Sequence, residues 1–179
     1  MGRDEGHLRA EMLDGLPRLR RFARSLTGNP ADADDLLQST VERVLDRGVP
    51  EDVNVLRWMF KVCRNLHIDE LRAREVRRNA AMRPELVEEQ VVSGEAVVMG
   101  ELSLREVDRA MAALSEEQRA VLALVAVEGL TYKQAAEVLG APIGTIMSRL
   151  ARARAALADR LHDAGPVGPG SLLLETVND

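Results

Sequence analysis

Residues 130–157, LTYKQAAEVLGAPIGTIMSRLARARAAL, decide the fold of the second half of this chain. Thr131 and Gln134 have the spacing of a capping box, which predicts the first turn of a helix. Gly140 is the residue type expected just after the end of that helix, and Pro142 suits the first turn of the next. Two helices joined by so short a turn predict a helix-turn-helix, whose second helix is rich in arginine and runs to about residue 161.

The arginine-rich helix has two different faces when its residues are placed 100° apart. The predicted buried face, which we expect to pack against Ala135, Val138 and Leu139, consists of Ile143, Ile146, Leu150, Ala153 and Leu157. The other face combines small residues with polar and cationic ones, and its candidate DNA contacts are Thr145, Ser148, Arg149, Arg152 and Arg154. Small residues allow a helix to enter the major groove, and arginine can reach bases or phosphates. A solvated arginine-rich face, or a helix-turn-helix that binds protein, remains an alternative at this stage.

Apolar residues at helical spacing predict further helices along the chain. They cover residues 8–26, 34–45, 55–74 and 104–114, and Ser115 with Gln118 forms a second capping box that opens a helix through Val127. Pro17 is expected to kink the first helix or to begin another. The pattern therefore predicts an all-α protein, with residues 76–103 as an acidic linker or a partly helical one.

The predicted helix 55–74 carries a cationic face opposite its apolar residues Val55, Met59, Val62, Cys63 and Leu66. Asn65 and Asp69 lie one turn apart on this face, among Lys61, Arg64 and Arg72. Such a pair could offer hydrogen bonds to bases while the cations hold phosphates, although an ordinary solvated surface has the same spacing. Trp58 and Phe60 could stack on bases, but aromatic residues at such positions are more often part of the packing.

The net charge of the 179 residues is −5, but its sign changes along the chain. Residues 57–78 contain seven cations and three acids, residues 85–108 contain seven acids and one arginine, and residues 145–160 contain four arginines and one acid. Two basic segments separated by an acidic one do not suit a protein that binds polyanions without specificity. The pattern favours two small DNA contacts, each weak alone.

Composition argues against several other classes of protein. The single cysteine, Cys63, excludes a disulfide within the chain, and we expect a packed thiol rather than a nucleophile. His7, His67 and His162 are far apart and lack partners at metal-ligand spacing, and there is no glycine-rich phosphate loop. We therefore expect no metal, no cofactor and no enzymatic activity. The charged N-terminus and the absence of a long apolar run predict a cytoplasmic protein without membrane insertion.

Three stretches together resemble the bacterial sigma factors of the extracytoplasmic-function (ECF) type. DADDLLQSTVERVLD (32–46) is similar to the helix that docks on RNA polymerase, and VLRWMFKVCRNLHIDELRARE (55–75) is similar to the segment that melts and reads the −10 element. Residues 113–157 resemble the region that reads the −35 element. The resemblance implies a sigma2-like helical bundle at 8–75, a linker at 76–103, a sigma4-like helix-turn-helix domain at 104–162 and a tail at 163–179.

The resemblance also implies roles for individual residues. Those matching the polymerase-docking helix are Asp34, Asp35, Gln38 and Glu42. Asn65 and Asp69 match positions near the −10 bases, with Lys61, Arg64 and Arg72 toward phosphates, and the loop 47–54 matches one that captures a flipped base. Ser148 and Arg152 match −35 base contacts, while Thr145, Arg149 and Arg154 match backbone contacts. The implied partners are core RNA polymerase, promoter DNA and an anti-sigma factor that holds the protein inactive.

Two positions depart from the family pattern. Met147 stands where a cation is common, and Val41 stands where an aromatic residue is common.

Two other classes of regulator are alternatives. A sigma-factor mimic would sequester an anti-sigma factor without binding DNA, but such mimics are usually joined to a receiver domain. A stand-alone helix-turn-helix regulator would leave the docking and −10 motifs without a role.

Overall fold

The computed structural model describes residues 5–80 and 109–163, with side chains up to residue 160. The regular secondary structure within these two ranges is entirely helical, which confirms the predicted all-α class. The first range forms α1 (Glu5–Thr27), α2 (Pro30–Arg47) and α3 (Val55–Ala80). The second forms a helical turn at 109–112, then α4 (Glu116–Leu122), a π-helix (Ala123–Val127), α5 (Tyr132–Leu139) and α6 (Ile143–Asp163).

Helix α1 is continuous through Pro17, so the alternative in which Pro17 begins a second helix is wrong. Pro17 cannot donate a main-chain hydrogen bond, but it lies on the exposed side of α1, where water can reach the freed carbonyl. On the other side Gly15 is buried, and a Cβ there would lie 3.1 Å from Leu56 Cδ1 of α3. The absence of a side chain at Gly15 therefore allows α1 and α3 to approach closely.

Helices α2 and α3 are both longer than predicted. The α2 helix begins at Pro30 because the Asn29 side chain accepts a hydrogen bond from the Asp32 amide at 2.8 Å and Pro30 suits the first turn. The α3 helix runs six residues past Arg74, so residues 76–80, expected to begin the linker, are helical. The rest of the predicted linker, residues 104–108 of the next predicted helix, and the tail from 164 lie outside the described residues.

The core of the first domain lies between α1, α2 and α3. Phe22 and Phe60 meet edge to face with ring centroids 5.0 Å apart, so Phe60 belongs to the core and cannot stack on a base. Val55, Met59 and Cys63 are buried as predicted, whereas Val62 and Leu66 are only partly buried.

The second domain follows the predicted helix boundaries closely. Both capping boxes are present, with the Ser115 and Thr131 hydroxyls accepting from the Gln118 and Gln134 amides at 3.3 and 3.2 Å. Gly140 ends α5 in a left-handed conformation with φ of 61°. These local signals are enough to set the two helices of the helix-turn-helix.

The stretch predicted as ordinary helix through Val127 ends in a π-helix instead. The Glu128 amide donates to the Ala123 carbonyl at 2.9 Å, a span of five residues rather than four. A π-turn adds one residue to the turn and so changes the direction in which the following side chains point. The side chain whose direction changes here is that of Glu128, and it is fully buried.

The two domains pack against each other. The α3 helix contacts α5, and α1 contacts both α4 and the π-helix. The buried apolar residues of both domains form one continuous cluster. Arg119 of α4 joins the domains further, since its guanidinium donates to the Leu26 carbonyl of α1 at 2.8 Å and to the Met111 carbonyl at 3.0 Å.

No helix of residues 5–80 or 109–163 combines the length and the apolar character that a membrane span requires.

Candidate nucleic-acid interfaces

Helix α6 buries most of the face predicted from its periodicity. Ile146, Leu150 and Ala153 are buried, and Leu157 is partly buried. Ile143 is the exception, because 45% of its surface is exposed. It is the first residue of α6 and lies at the edge of the contact with α5, so its assignment to the buried face is wrong.

The outward face of α6 presents Ser148 and Arg152 together. Both are exposed, and Arg152 Nε donates to the Ser148 carbonyl at 3.2 Å. Arg152 Nη2 also lies 3.4 Å from Ser148 Oγ, and that hydroxyl donates to the Thr145 carbonyl at 3.1 Å. These contacts orient the guanidinium along the helix, where its remaining N–H groups point to solvent. The pair offers both a hydroxyl and a planar donor to an approaching base edge.

The other two arginines assigned to α6 are less accessible. Arg149 forms an ion pair with Glu117 of α4 at 2.7 Å, and 22% of its side chain is exposed. Arg154 is partly buried, and no acceptor among the described residues lies within hydrogen-bonding distance of its Nε atom. Arg149 therefore links α6 to α4, and Arg154 is less open to solvent than Arg152.

On α3, the structure brings Asn65, Asp69 and Arg72 onto one exposed stretch. Asp69 and Arg72 lie 3.8 Å apart, and both are largely solvated. Lys61 lies one turn earlier, with its Nζ atom 5.5 Å from the centre of the half-buried Trp58 ring. This part of the predicted face therefore presents a polar, an acidic and a cationic group within two turns of helix.

A groove lies beside this face, where the loop 47–54 meets α3. Its volume is about 270 Å³, and its lining includes Asp52 and Val53 of the loop with Trp58 and Lys61 of α3. Glu137 and Val138 of α5 line its other side. An aromatic ring next to a cation suits the stacking of a base beside a phosphate.

Arg64 differs from the other cations of α3, because the second domain partly covers it. Burial lowers the pKa of its guanidinium, while the nearby carboxylates of Glu116 and Glu117 raise it. Its Nε atom is buried without a hydrogen-bond acceptor among the described residues. In this arrangement Arg64 faces the second domain and not an open DNA-binding surface.

The four candidate docking residues of α2 are all exposed: Asp34, Asp35, Gln38 and Glu42. Asp34 pairs with Arg20 of α1 at 2.9 Å, and Gln38 donates to Glu42 at 2.9 Å. Val41 is partly buried against the core. The helix thus presents an acidic and polar surface that can meet a basic partner.

Sequence reasoning missed one group of residues, those that join the two domains. Glu128 is buried and accepts hydrogen bonds from Arg18 and Arg21 of α1. The only local signal was an acid at the end of the apolar run ALVAV. That signal does not reveal partners more than a hundred residues away.

Comparison with known proteins accounts for both halves of the chain. The family model "Sigma-70, region 4" matches residues 104–157, and the model "Sigma2 domain of PhyR" matches residues 12–64. The curated relative "ECF RNA polymerase sigma factor EcfG" from Rhodopseudomonas palustris is 35% identical over 167 residues, which cover 89% of this chain and 90% of that protein.

Two solved structures have similar folds across both domains. The sigma factor RpoE from Bartonella quintana, in complex with the anti-sigma factor NepR, is 32% identical with a TM-score of 0.71, covering 86% of this chain and 96% of that one. The anti-anti-sigma factor PhyR from the same organism, also complexed with NepR, is 18% identical with a TM-score of 0.61 and shares the fold, covering 86% of this chain and 50% of that one. By its similarity along nearly its whole length to a curated relative, the chain belongs to the ECF RNA polymerase sigma factors.

Proposed function

We propose that this protein is a transcription initiation factor that binds core RNA polymerase and directs it to promoters by reading their −10 and −35 elements. One observation carries the proposal: two separate polar and cationic helix faces, on α3 and α6, lie in a chain related to EcfG over 89% of its length. This role is regulatory rather than enzymatic.

In the proposed function, α6 reads the −35 element from the major groove. Ser148 and Arg152 contact base edges, since both are exposed and already hydrogen-bonded to each other. Thr145, Arg149 and Arg154 contact the DNA backbone. To do so, Arg149 must break its ion pair with Glu117 or bind this carboxylate and a phosphate at different N–H groups. Met147 is 53% exposed on the same helix and offers apolar contact to a thymine methyl group.

The α3 helix reads the −10 element in its melted form. Asn65 and Asp69 offer hydrogen bonds to bases, and Lys61 and Arg72 bind phosphates. Arg64 can bind a phosphate only if the second domain uncovers it. The groove beside the loop 47–54 takes a base flipped out of the stack, with Trp58 as its aromatic wall. The cost of unstacking is offset by this contact and by the neighbouring cation.

The acidic surface of α2 docks on the polymerase through Asp34, Asp35, Gln38 and Glu42. Polymerase then holds both DNA-binding faces near their promoter elements, so that two weak contacts act together. Because polymerase positions both contacts, a chain of net charge −5 can act on DNA without binding it tightly alone.

An anti-sigma factor is the proposed inhibitory partner. The relative RpoE was solved in complex with the anti-sigma factor NepR, and its fold matches this chain across both domains. We infer that this protein is held inactive by a partner of that kind. The protein can be purified from its own cells under conditions in which it is transcriptionally silent. The absence of a bound partner of this kind would contradict this part of the proposal.

A sigma-factor mimic is the second candidate, favoured by one observation. The first domain matches the family model of the PhyR sigma2 domain, and PhyR is an anti-anti-sigma factor. A mimic would bind an anti-sigma factor but would direct no transcription. A mimic does not need DNA-binding groups such as the exposed Asn65 and Ser148–Arg152, and for this reason we favour the sigma factor.

Run-off transcription with core polymerase tests the two candidates. We expect transcripts from a pool of genomic promoters only when this protein is added. Asn65→Ala and Arg152→Ala should each lower initiation about tenfold or more, because the loss of a base contact costs about 1–3 kcal/mol. Arg160→Ala, an exposed residue two turns further along α6, is the matched control and should retain activity. Folded protein that supports no transcription on any promoter would favour the mimic.

A further inference from the structure

Two apolar side chains are exposed near the start of α6. Ile143 is 45% exposed and Met147 is 53% exposed. They are one helical turn apart, so their Cβ atoms lie about 5–6 Å from each other and the two side chains form one apolar ridge. The buried face of α6 is formed instead by Ile146, Leu150 and Ala153, so packing of the core does not account for this ridge.

The main chain at Pro142 fixes the position of the apolar ridge. The amides of Thr145 and Ile146 donate to the Pro142 carbonyl at 2.9 and 3.1 Å, which sets the first turn of α6. The Ile146 side chain on the same turn has no exposed surface and anchors the helix in the core. The ridge is therefore carried by a rigid element, whose backbone is already in place to meet a ligand.

The ridge lies beside the polar side chains that we assign to −35 DNA. At about 100° per residue, Met147 lies about 100° around the helix from Ser148, with Gly144 and Ala151 between them. Both small residues are exposed, and a Cβ at Gly144 would meet no atom within 4 Å. One side of α6 thus offers apolar contact and the other offers a hydroxyl and a guanidinium, with a low strip between the two.

The group on DNA that suits this ridge is the C5-methyl group of thymine. On the major-groove edges of the base pairs, this methyl group distinguishes thymine from cytosine, and the other bases present hydrogen-bonding groups that an apolar ridge cannot pair. Base contacts come from the N-terminal part of a recognition helix, and Ile143 and Met147 are the first and fifth residues of α6. The ridge therefore lies where bases are read.

We propose that Ile143 and Met147 act as one specificity-determining ridge, which binds the methyl groups of two thymines in the −35 element. One turn of α6 advances about 5.4 Å, against about 3.4 Å per base pair, so the two thymines lie within two base pairs of each other. Met147 does not act alone, and thymine is selected at two positions. This inference rests on the proposed function, because it names the bases that α6 selects.

Replacement of thymine by uracil tests the ridge one methyl group at a time. Deoxyuridine pairs with adenine as thymidine does but lacks the methyl group. Each −35 thymine of a promoter that the protein transcribes is replaced singly, and initiation by core polymerase with the full chain is measured at limiting enzyme concentration. We expect two positions at which uracil lowers initiation about fourfold, as the loss of one buried methyl group should.

The variants Met147→Gln and Ile143→Thr assign each methyl group to its side chain. Each keeps the approximate size of the side chain and replaces apolar atoms by polar ones. Each variant should lose the effect of uracil at one position, where thymine and uracil should then differ less than about 1.5-fold, and retain it at the other. Val127→Thr is the matched control and should retain both effects, because Val127 is 46% exposed in the second domain but lies outside α6.

The possible results separate the ridge from the proposed function. Equal initiation from thymine and uracil promoters at every −35 position would overturn the ridge and leave the sigma factor intact. An effect of uracil that persists unchanged in both Met147→Gln and Ile143→Thr would also overturn it, since the methyl groups would then meet other side chains. No transcription from any promoter would overturn the proposed function, and the ridge with it.

Discussion

The pKa of the buried Cys63 thiol is set by its surroundings. It lies on α3 with no exposed surface, and burial raises the pKa of its thiol from 9.0 to about 12. A hydrogen bond with Thr40 lowers this pKa, but burial has the larger effect. The thiol is therefore neutral at physiological pH, as expected of a packing residue rather than a nucleophile.

We expect Cys63 to resist iodoacetamide in the folded protein at neutral pH and to react readily in denaturant. Because its folded pKa lies above its unfolded value, stability should be unaffected by this group below about pH 9 and should fall as pH rises from there toward 12. Mass spectrometry after timed alkylation measures the reactivity. A Ser39→Cys variant, at an exposed position on α2, serves as the reactive control. Equal rates at both sites would contradict the burial argument.

At the scale of elements, the helix-turn-helix depends on the two glycines near its turn for different reasons. Gly140 has φ of 61° and ends α5, whereas Gly144 lies within α6 in ordinary helical conformation. A Cβ at either position would meet no atom within 4 Å. Any difference between alanine substitutions at these sites must therefore come from the backbone and not from steric contact.

Gly140→Ala should destabilise the protein by about 1–2 kcal/mol, because alanine is strained in the left-handed conformation. Gly144→Ala should stabilise it by about 0.5 kcal/mol, because alanine loses less conformational freedom in a helix. Urea unfolding followed by circular dichroism measures both. Gly140→Asn is the control, since asparagine tolerates this conformation, and it should cost less than alanine. Changes of the same sign for both alanine variants would be inconsistent with this explanation.

At the scale of the whole molecule, the proposed polymerase-docking surface and the proposed DNA-binding faces lie on different helices. The docking candidates occupy the outside of α2, while the junction between domains is formed by α1, α3, α4, the π-helix and α5. Loss of polymerase binding and loss of DNA binding should therefore be separable by mutation.

We expect no transcription from the combined variant Asp35→Asn, Gln38→Ala and Glu42→Gln, because its binding to core polymerase should be weaker by at least about tenfold. Binding of the free chain to −10 DNA should be unchanged, because none of these side chains belongs to the polar face of α3. Arg43→Gln, exposed on another side of α2, is the matched control. Fluorescence anisotropy with labelled core polymerase and labelled DNA measures the two affinities. Equal polymerase affinity for the combined variant and wild type would remove α2 from the proposed docking site.

The sequence by itself determined the features that depend on near neighbours. Capping boxes at Ser115 and Thr131, the glycine at position 140 and the apolar spacing of α6 are all local, and each agrees with the structure apart from the exposed Ile143. The resemblance of three stretches to ECF sigma factors likewise needs only the order of residues, and the comparison with EcfG confirms the family. The separate roles of the site residues stay predictions.

Tertiary structure decided which side chains of those faces remain open. The pairing of Glu128 with Arg18 and Arg21 joins residues 110 and 107 positions apart, and no local pattern encodes such a pair. The same packing half-buries Arg64 and draws Arg149 to Glu117, although both have the spacing of surface cations. Periodicity identifies which residues share a face of a helix. What that face meets depends on the packing of distant elements, because charge pairing and burial are set by contacts in space rather than by spacing in the chain.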